Sequence, residues 1–167
     1  MINKSSKISI IIIFFLSFIG CGVYTFNPRG KSTINSIAVS RFDNQTAEYG
    51  LSDLVTDNII DAFISDGSFK VLPEADAEAL LIGNLIRYER KAHTYNENDE
   101  VQEYKVEMDF EISLKNNKNN IDDKEIWKER INHIGIYNVE TETEENGQDK
   151  VIALLVETII NKTTKSW

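Results

Sequence analysis

The sequence predicts an α/β (α+β) fold, a two-layer sandwich in which two helices pack on one face of a mixed sheet of four to five strands. Three observations favour this class. The predicted elements follow the order strand, helix, several strands, helix. The clearest strand is polar on one side only, and two segments repeat apolar residues at helical spacings. No internal repeat is evident, so one domain is expected in 167 residues.

The first part of the domain combines short strands with one helix. Residues 36–42 (SIAVSRF) are β-branched and aromatic, which is typical of a strand. Residues 51–66 are predicted as a helix that Gly67 ends, because their apolar residues form one stripe. That stripe consists of Leu51, Leu54, Val55, Ile59, Ala62 and Phe63. Residues 69–72 (FKVL) are expected as a second short strand.

Two longer segments are predicted to form a hairpin. Residues 79–91 are expected as a strand that is buried on both sides in its first half, although residues 79–86 also admit a helix. The clearest pattern lies in residues 102–114, where apolar and polar side chains alternate. One face of that strand therefore meets the core and the other meets solvent.

The last part of the chain completes the sheet and adds the second helix. Residues 124–139 are predicted as one long or broken strand. Residues 140–149 (ETETEENGQD) are expected as an acidic loop. Residues 150–162 are predicted as a closing helix, with Val151, Leu155 and Ile159 on its inner face.

The N-terminus carries the pattern of an export signal. Lys4 and Lys7 precede an uncharged apolar run over residues 8–19, and the small residue Gly20 follows it. This run is too short for a helix that crosses the bilayer, which needs about 20 residues. We therefore expect residues 1–20 to be a signal peptide that is removed on export.

Cys21, the only cysteine of the chain, directly follows that signal. An internal disulfide is excluded, which leaves a free thiol, an intermolecular disulfide or a cysteine modified at the cleavage site. Residues 18–21 (FIGC) resemble the lipobox of bacterial lipoproteins, with Phe18 where leucine is usual. This resemblance implies that Cys21 is the lipidated N-terminus. Gly22, where inner-membrane lipoproteins carry aspartate, implies the outer membrane, facing the periplasm.

The exported chain is expected to be a tethered acidic domain. Residues 21–35 mix Gly, Pro and polar residues and are interpreted as a lipidated N-terminal tether to a single domain over residues 36–167. The full chain has a net charge of −9, and loss of the two signal-peptide lysines makes it more negative. This charge disfavours binding to nucleic acid. The remaining length suffices for a stable core without disulfides or metal.

The residues give no pattern of catalysis. His93 and His133 have no second His or Cys at metal-ligand spacing. The carboxylates lie in the outward row of one strand or in the acidic loop, which is typical of a solvated face. Phosphate-binding, nucleophile-elbow and redox motifs are missing from the sequence. We therefore predict that the protein is not an enzyme and uses no cofactor and no metal.

One basic cluster stands out in this acidic chain. Arg87, Arg90 and Lys91 lie near the end of a predicted strand. They could contact the phosphates of an anionic lipid, for which arginine offers a two-pronged donor and lysine a point charge. Alternatively they pair with neighbouring acids across the strands, with Glu89, Glu103 and Glu129 as candidates. The sequence alone favours pairing.

Residues 36–72 (SIAVSRFDNQTAEYGLSDLVTDNIIDAFISDGSFKVL) resemble the core of the lipopolysaccharide-assembly lipoproteins of the LptE family. In that family a strand ending near F-x-N-x-T leads to G-L-x-x-x-x-T-D-x-[IL]-x-x-x-F. The matching positions are Phe42, Asn44, Thr46, Gly50, Leu51, Thr56, Asp57, Ile59 and Phe63. The resemblance begins at the lipobox and continues to the final helix and Trp167, so it covers nearly the whole chain.

The resemblance implies a role in the outer-membrane translocon for lipopolysaccharide. Family members lie as a plug in the lumen of the β-barrel protein LptD, support the folding of that barrel, and are thought to bind lipopolysaccharide. The family fold, with helices on one face of a sheet, agrees with the predicted architecture. The acidic segment 140–149 and the negative charge are less typical of a protein that binds an anionic glycolipid.

Two other functions stay open at this point. The protein could be a lipid-anchored periplasmic binding or structural module with another envelope partner. It could also be an envelope hydrolase, which would need two carboxyl groups that face each other in a concave site. The outward row of alternating acids argues against the hydrolase.

Overall fold

The computed structural model describes residues 34–117 and 125–165. The predicted signal peptide, most of the tether, Cys21 and Trp167 lie outside the described residues. The six strands are β1 (Ser36–Val39), β2 (Asp43–Asn44), β3 (Lys70–Val71), β4 (Ala79–Tyr95), β5 (Val101–Asn116) and β6 (Glu125–Asn138). The helices are α1 (Leu51–Asp66) and α2 (Glu144–Lys165).

The predicted fold class is confirmed, since two helices pack against a mixed sheet. The strand order is β3-β1-β4-β5-β6, and β2 also pairs with β4. β1 runs parallel to β3 and β4, whereas β4, β5 and β6 form antiparallel ladders. The sheet of the described residues has six strands: the predicted first strand over residues 36–42 ends at Val39, and the two-residue β2 follows at residues 43–44, just beyond the predicted span.

Helix α1 has the predicted bounds, and two glycines in the left-handed conformation flank it. Gly50 has φ of 80° and Gly67 has φ of 66°, a region that side chains with a Cβ disfavour. Thr56 ties this helix to the sheet: its hydroxyl accepts a hydrogen bond from the Phe42 amide at 2.9 Å and donates one to the Ser52 carbonyl at 2.6 Å. Both Phe42 and Thr56 belong to the motif that carries the family resemblance.

Helix α2 begins six residues earlier than predicted, so the expectation of an acidic loop through residue 149 is wrong. Its start is capped by Asn146, whose side-chain oxygen accepts from the Thr143 amide at 2.9 Å. Glu144 and Glu145 lie in the first turn, where carboxylates interact favourably with the helix dipole. The acidic composition therefore favours a helix start at this position.

Two glycines of the sheet allow other parts of the chain to approach closely. A Cβ atom at Gly83 of β4 would overlap the Phe42 ring, which lies over this position and is 1% exposed. A Cβ atom at Gly135 of β6 would overlap the backbone carbonyl of Gly147 in α2. Because glycine has no side chain, these two positions allow the covering layer to lie closer to the sheet than any other residue would.

The structure confirms the long strand predicted from residue 79, and the alternative helix there is wrong. β4 contains a bulge at Ile86, because Leu85 pairs with Phe110 while Arg87 pairs with the preceding residue of β5, Asp109. The extra residue reverses the alternation of side chains along β4. Odd-numbered residues such as Leu85 face the core before the bulge, and even-numbered residues such as Tyr88 face the helices after it.

Candidate functional site

Strand alternation separates the three predicted basic residues, and the bulge decides which face each of them takes. Arg87 and Lys91 lie on the face of the sheet opposite the helices, which is called the open face below. Arg90 lies on the helix side, where its guanidinium covers the Tyr104 ring. The structure therefore places these residues in two separate environments, and they do not form one cationic patch.

Arg87 is the centre of an ion-pair network on the open face. It donates from Nε to Asp109 Oδ2 at 3.1 Å, from Nη1 to Glu89 Oε2 at 2.9 Å and from Nη2 to Glu107 Oε1 at 2.5 Å. Lys91 reaches the other oxygen of Glu89 at 2.7 Å. Glu89 thus links Arg87 with Lys91, as the pairing interpretation expects. The other two acids named in that interpretation have different partners: Glu103 accepts from Thr94, and Glu129 pairs with Lys162.

Asp109 is the buried member of this network and is 5% exposed. Its carboxylate accepts hydrogen bonds from Arg87, from Arg130 Nη2 at 2.8 Å and from the Asn132 amide. Burial alone would raise the pKa of Asp109, but the bonds from Arg130, Arg87 and Asn132 outweigh it and lower the pKa to about 2. The carboxylate is therefore ionised at neutral pH and joins β4, β5 and β6.

Arg90 forms the second environment, an arginine–tyrosine cluster that also contains Tyr88, Tyr104, Tyr137 and Glu144. The Arg90 guanidinium carbon lies 3.9 Å from the centre of the Tyr104 ring, and its Nε donates to the Tyr137 hydroxyl at 2.5 Å. The Tyr104 and Tyr137 rings stack at 5.9 Å. Arg90 also lies 3.4 Å from Glu144 Oε2 at the start of α2. Stacking and ion pairing together fix the arginine.

Tyr88 connects this cluster to the second helix. Its hydroxyl donates to Glu144 Oε1 at 2.5 Å and accepts from the Gln148 amide at 3.1 Å. Burial raises the pKa of Tyr88, so this hydroxyl remains a donor. The cluster therefore presents one half-exposed cation, an aromatic surface and one carboxylate.

Sequence reasoning did not identify Tyr88, Tyr104, Tyr137 or Glu144 as partners of the basic residues. The tyrosines fit the apolar face of their strands, and the acidic segment around Glu144 is typical of a loop. The bulge that turns Arg90 towards them leaves no clear mark in the sequence, since Ile86 resembles the other apolar residues of β4. The alternation alone would have placed Arg90 on the open face.

Within residues 34–117 and 125–165, no group of three or more His, Cys, Asp and Glu side chains has the arrangement of a metal site. No helix of the same residues has the length and apolar character needed to cross a membrane.

The fold is shared with solved bacterial proteins. A protein from Xanthomonas campestris matches with a TM-score of 0.61 at 10% identity, over 84% of this chain and 89% of that one. A hypothetical protein from Chlamydia trachomatis matches with a TM-score of 0.60 at 8% identity, over 78% and 96%. A minor lipoprotein from Acinetobacter baumannii gives 0.51 at 12% identity, over 80% and 94%. At these identities the matches establish the fold alone. No curated protein matches the sequence.

The sequence itself identifies the family within this fold. The family model described as LptE, lipopolysaccharide-assembly, matches residues 34–163, which is most of the chain and nearly all of the described domain. The protein therefore belongs to the LptE family of lipopolysaccharide-assembly lipoproteins, and the resemblance inferred from the motif over residues 36–72 is confirmed. This is a family of envelope assembly lipoproteins and not of enzymes.

Proposed function

We propose that this protein is an outer-membrane lipoprotein that plugs and helps to assemble an LptD-type β-barrel, and so takes part in lipopolysaccharide transport. The observation that carries the proposal is the match of the LptE family model over residues 34–163. The lipobox-like segment before this domain supports the same function, because it supplies an anchor without a membrane-spanning helix.

Cys21 is the proposed anchor. Each buried methylene group of an acyl chain contributes about 0.8 kcal/mol, and stable attachment needs more than one chain. Replacement of Cys21 by alanine should therefore release the processed protein from the membrane fraction. An N-terminal peptide of the native protein that carries an unmodified thiol would contradict lipidation, whatever the role of the domain.

The open face of the sheet supports the role of a plug. The interior of an outer-membrane β-barrel is polar, so a protein that fills it needs a polar surface. The outward residues of β5 are charged over most of its length, and they include Lys105, Glu107, Asp109 and Glu111. The charges of Glu107 and Asp109 are paired within the sheet, which lowers the cost of placing this face against another protein.

The barrel role is tested by depletion of the protein from its native cell. Loss of the chain should reduce the amount of folded, heat-modifiable LptD-type barrel and the amount of lipopolysaccharide at the cell surface. Wild-type protein should restore both quantities. A normal amount of folded barrel after complete depletion would contradict the proposal.

We also propose that the protein binds lipopolysaccharide through Arg90 first, and through Arg87 and Lys91 to a lesser degree. Arg90 lies beside an aromatic surface, and 42% of its side chain is exposed. A phosphate group would have to compete with Glu144 for Arg90, and with Glu89 for the other two residues. Glu144 and Glu89 therefore lower the affinity expected for lipopolysaccharide phosphate groups.

This contact is tested by separate charge reversals. Arg90→Glu should weaken binding of purified lipopolysaccharide by about tenfold, which corresponds to the loss of about one charge-assisted hydrogen bond. Arg87→Glu and Lys91→Glu should have smaller effects. Lys128→Glu, at an exposed position of β6, is the matched control. Unchanged affinity in the triple variant would remove all three residues from the proposed contact.

A further inference from the structure

Strand β6 forms an edge of the sheet. Among the described residues, β5 is the one strand that pairs with β6, which is 14 residues long. Some backbone groups on its other side have side-chain partners near the end of the strand. The Ile136 carbonyl accepts from Lys150 Nζ at 2.7 Å, and the Asn138 amide donates to Glu142 Oε2 at 3.0 Å. The backbone groups of successive residues point alternately to the two sides of a strand. The backbone groups of Ile134, two residues before Ile136, therefore also point away from β5.

A cleft of about 500 Å³ runs between this edge and α2. Gly135 lies at its centre on the strand, with Ile134 and Ile136 on either side; Ala153 and Leu154 line the helix side. Ile134 is 41% exposed, Ile136 37% and Leu154 42%. A long edge with exposed apolar residues is a surface on which another strand can pair, and natural proteins usually cover it.

We infer that a second copy of this chain covers this edge, in an antiparallel pair of β6 strands around a twofold axis at Gly135. In this register Ile134 lies opposite Ile136 of the second copy, and the outward backbone groups of these residues bond to each other. The two α2 helices come side by side, with Leu154 near Ala153 of the second copy. The inference goes beyond the proposed function, because it concerns the chain when no barrel is bound.

A second copy fits because the surface is complementary to itself, as a twofold contact requires. The apolar residues lie at the centre. On α2, Lys150 and Glu157 line opposite ends of the cleft, so the twofold axis brings each lysine towards a glutamate of the other copy.

The side chains of Lys150 and Glu142, which bond to backbone groups at this edge, do not prevent the contact. Lys150 and Glu142 form an ion pair whose side chains are 45% and 32% exposed, and such surface pairs are weak. On pairing, the Ile134 amide of the second copy replaces Lys150 at the Ile136 carbonyl. Lys150 is then free to meet Glu157 of the second copy.

The test is sedimentation equilibrium of the full chain, produced without a barrel partner and purified from membranes in a density-matched detergent, at concentrations up to about 100 µM. Wild-type protein should show a monomer–dimer equilibrium. Leu154→Arg should lower the association constant by about tenfold or more, because it places two charges at the apolar centre. Asp61→Lys, on the exposed face of α1, should leave the constant unchanged. Circular dichroism checks that each variant is folded.

The charged pair gives a test of the register. Lys150→Glu and Glu157→Lys should each weaken the dimer, and the double variant should recover wild-type association, because the pair forms again in the opposite sense. A monomer at every concentration, or a dimer that Leu154→Arg leaves intact, would overturn the inference. A double variant weaker than either single variant would overturn the register around Gly135.

Discussion

The replacement Asp109→Asn should destabilise the protein at neutral pH by about 2 kcal/mol. The native environment lowers the pKa of this carboxyl from 3.8 to about 2, and one pKa unit corresponds to about 1.4 kcal/mol. Because Arg87 and Arg130 are 42% and 61% exposed, solvent screening makes this value an upper bound. The asparagine keeps the size of the side chain but removes the charge that both arginines share.

The sign of the pH dependence follows from the lowered pKa. Ionised Asp109 stabilises the folded state above the unfolded pKa near 4, and this contribution is lost as the pH falls towards the folded pKa of about 2. The difference in unfolding free energy between wild type and Asp109→Asn should therefore be largest at pH 7 and shrink below pH 4.

Urea unfolding at pH 7 and at about pH 2.5, followed by tryptophan fluorescence, measures this difference. Glu111→Gln is the matched control, because Glu111 is the next outward acid of β5 and is less buried. It should change the unfolding free energy by less than about 0.5 kcal/mol. An Asp109→Asn variant as stable as wild type at pH 7, or equally destabilised at both pH values, would refute the assigned role of the network.

Three glycine replacements test the packing of the two layers by thermal or urea unfolding. Gly83→Ala should cost at least about 2 kcal/mol, because its Cβ would overlap the Phe42 ring. Gly135→Ala should cost as much or more, since it meets the backbone of Gly147 and not a side chain that can rotate. A Cβ atom at Gly67 would meet no atom within 4 Å. Gly67→Ala should therefore cost only about 1 to 2 kcal/mol, because alanine disfavours the left-handed conformation of this residue. Equal losses at the three positions would contradict the close contacts.

The sequence predicts the elements whose pattern is local. The stripe from Leu51 to Phe63 and the terminal Gly67 give the bounds of α1, and the strict alternation in β5 gives both its length and its buried face. These elements follow from periodicity and from one conformational preference. The early start of α2 was missed because the cap by Asn146 was not recognised within an acidic segment.

The candidate site was harder to predict because it depends on register. Arg87 and Arg90 are three positions apart, so alternation places them on opposite faces of β4, but which face each of them takes depends on the single extra residue at Ile86. That bulge is set by how β4 pairs with β5, which is a tertiary property. The tyrosines around Arg90 come from three strands, so no local pattern brings them together.

The central claim is that this LptE-family lipoprotein plugs an LptD-type barrel. The most direct test is to purify the protein from its native outer membrane in mild detergent and to identify by mass spectrometry what accompanies it. The account predicts an acylated Cys21 and one large LptD-type barrel in equimolar amount. An acylated protein without any barrel, in cells that contain one, would contradict the plug.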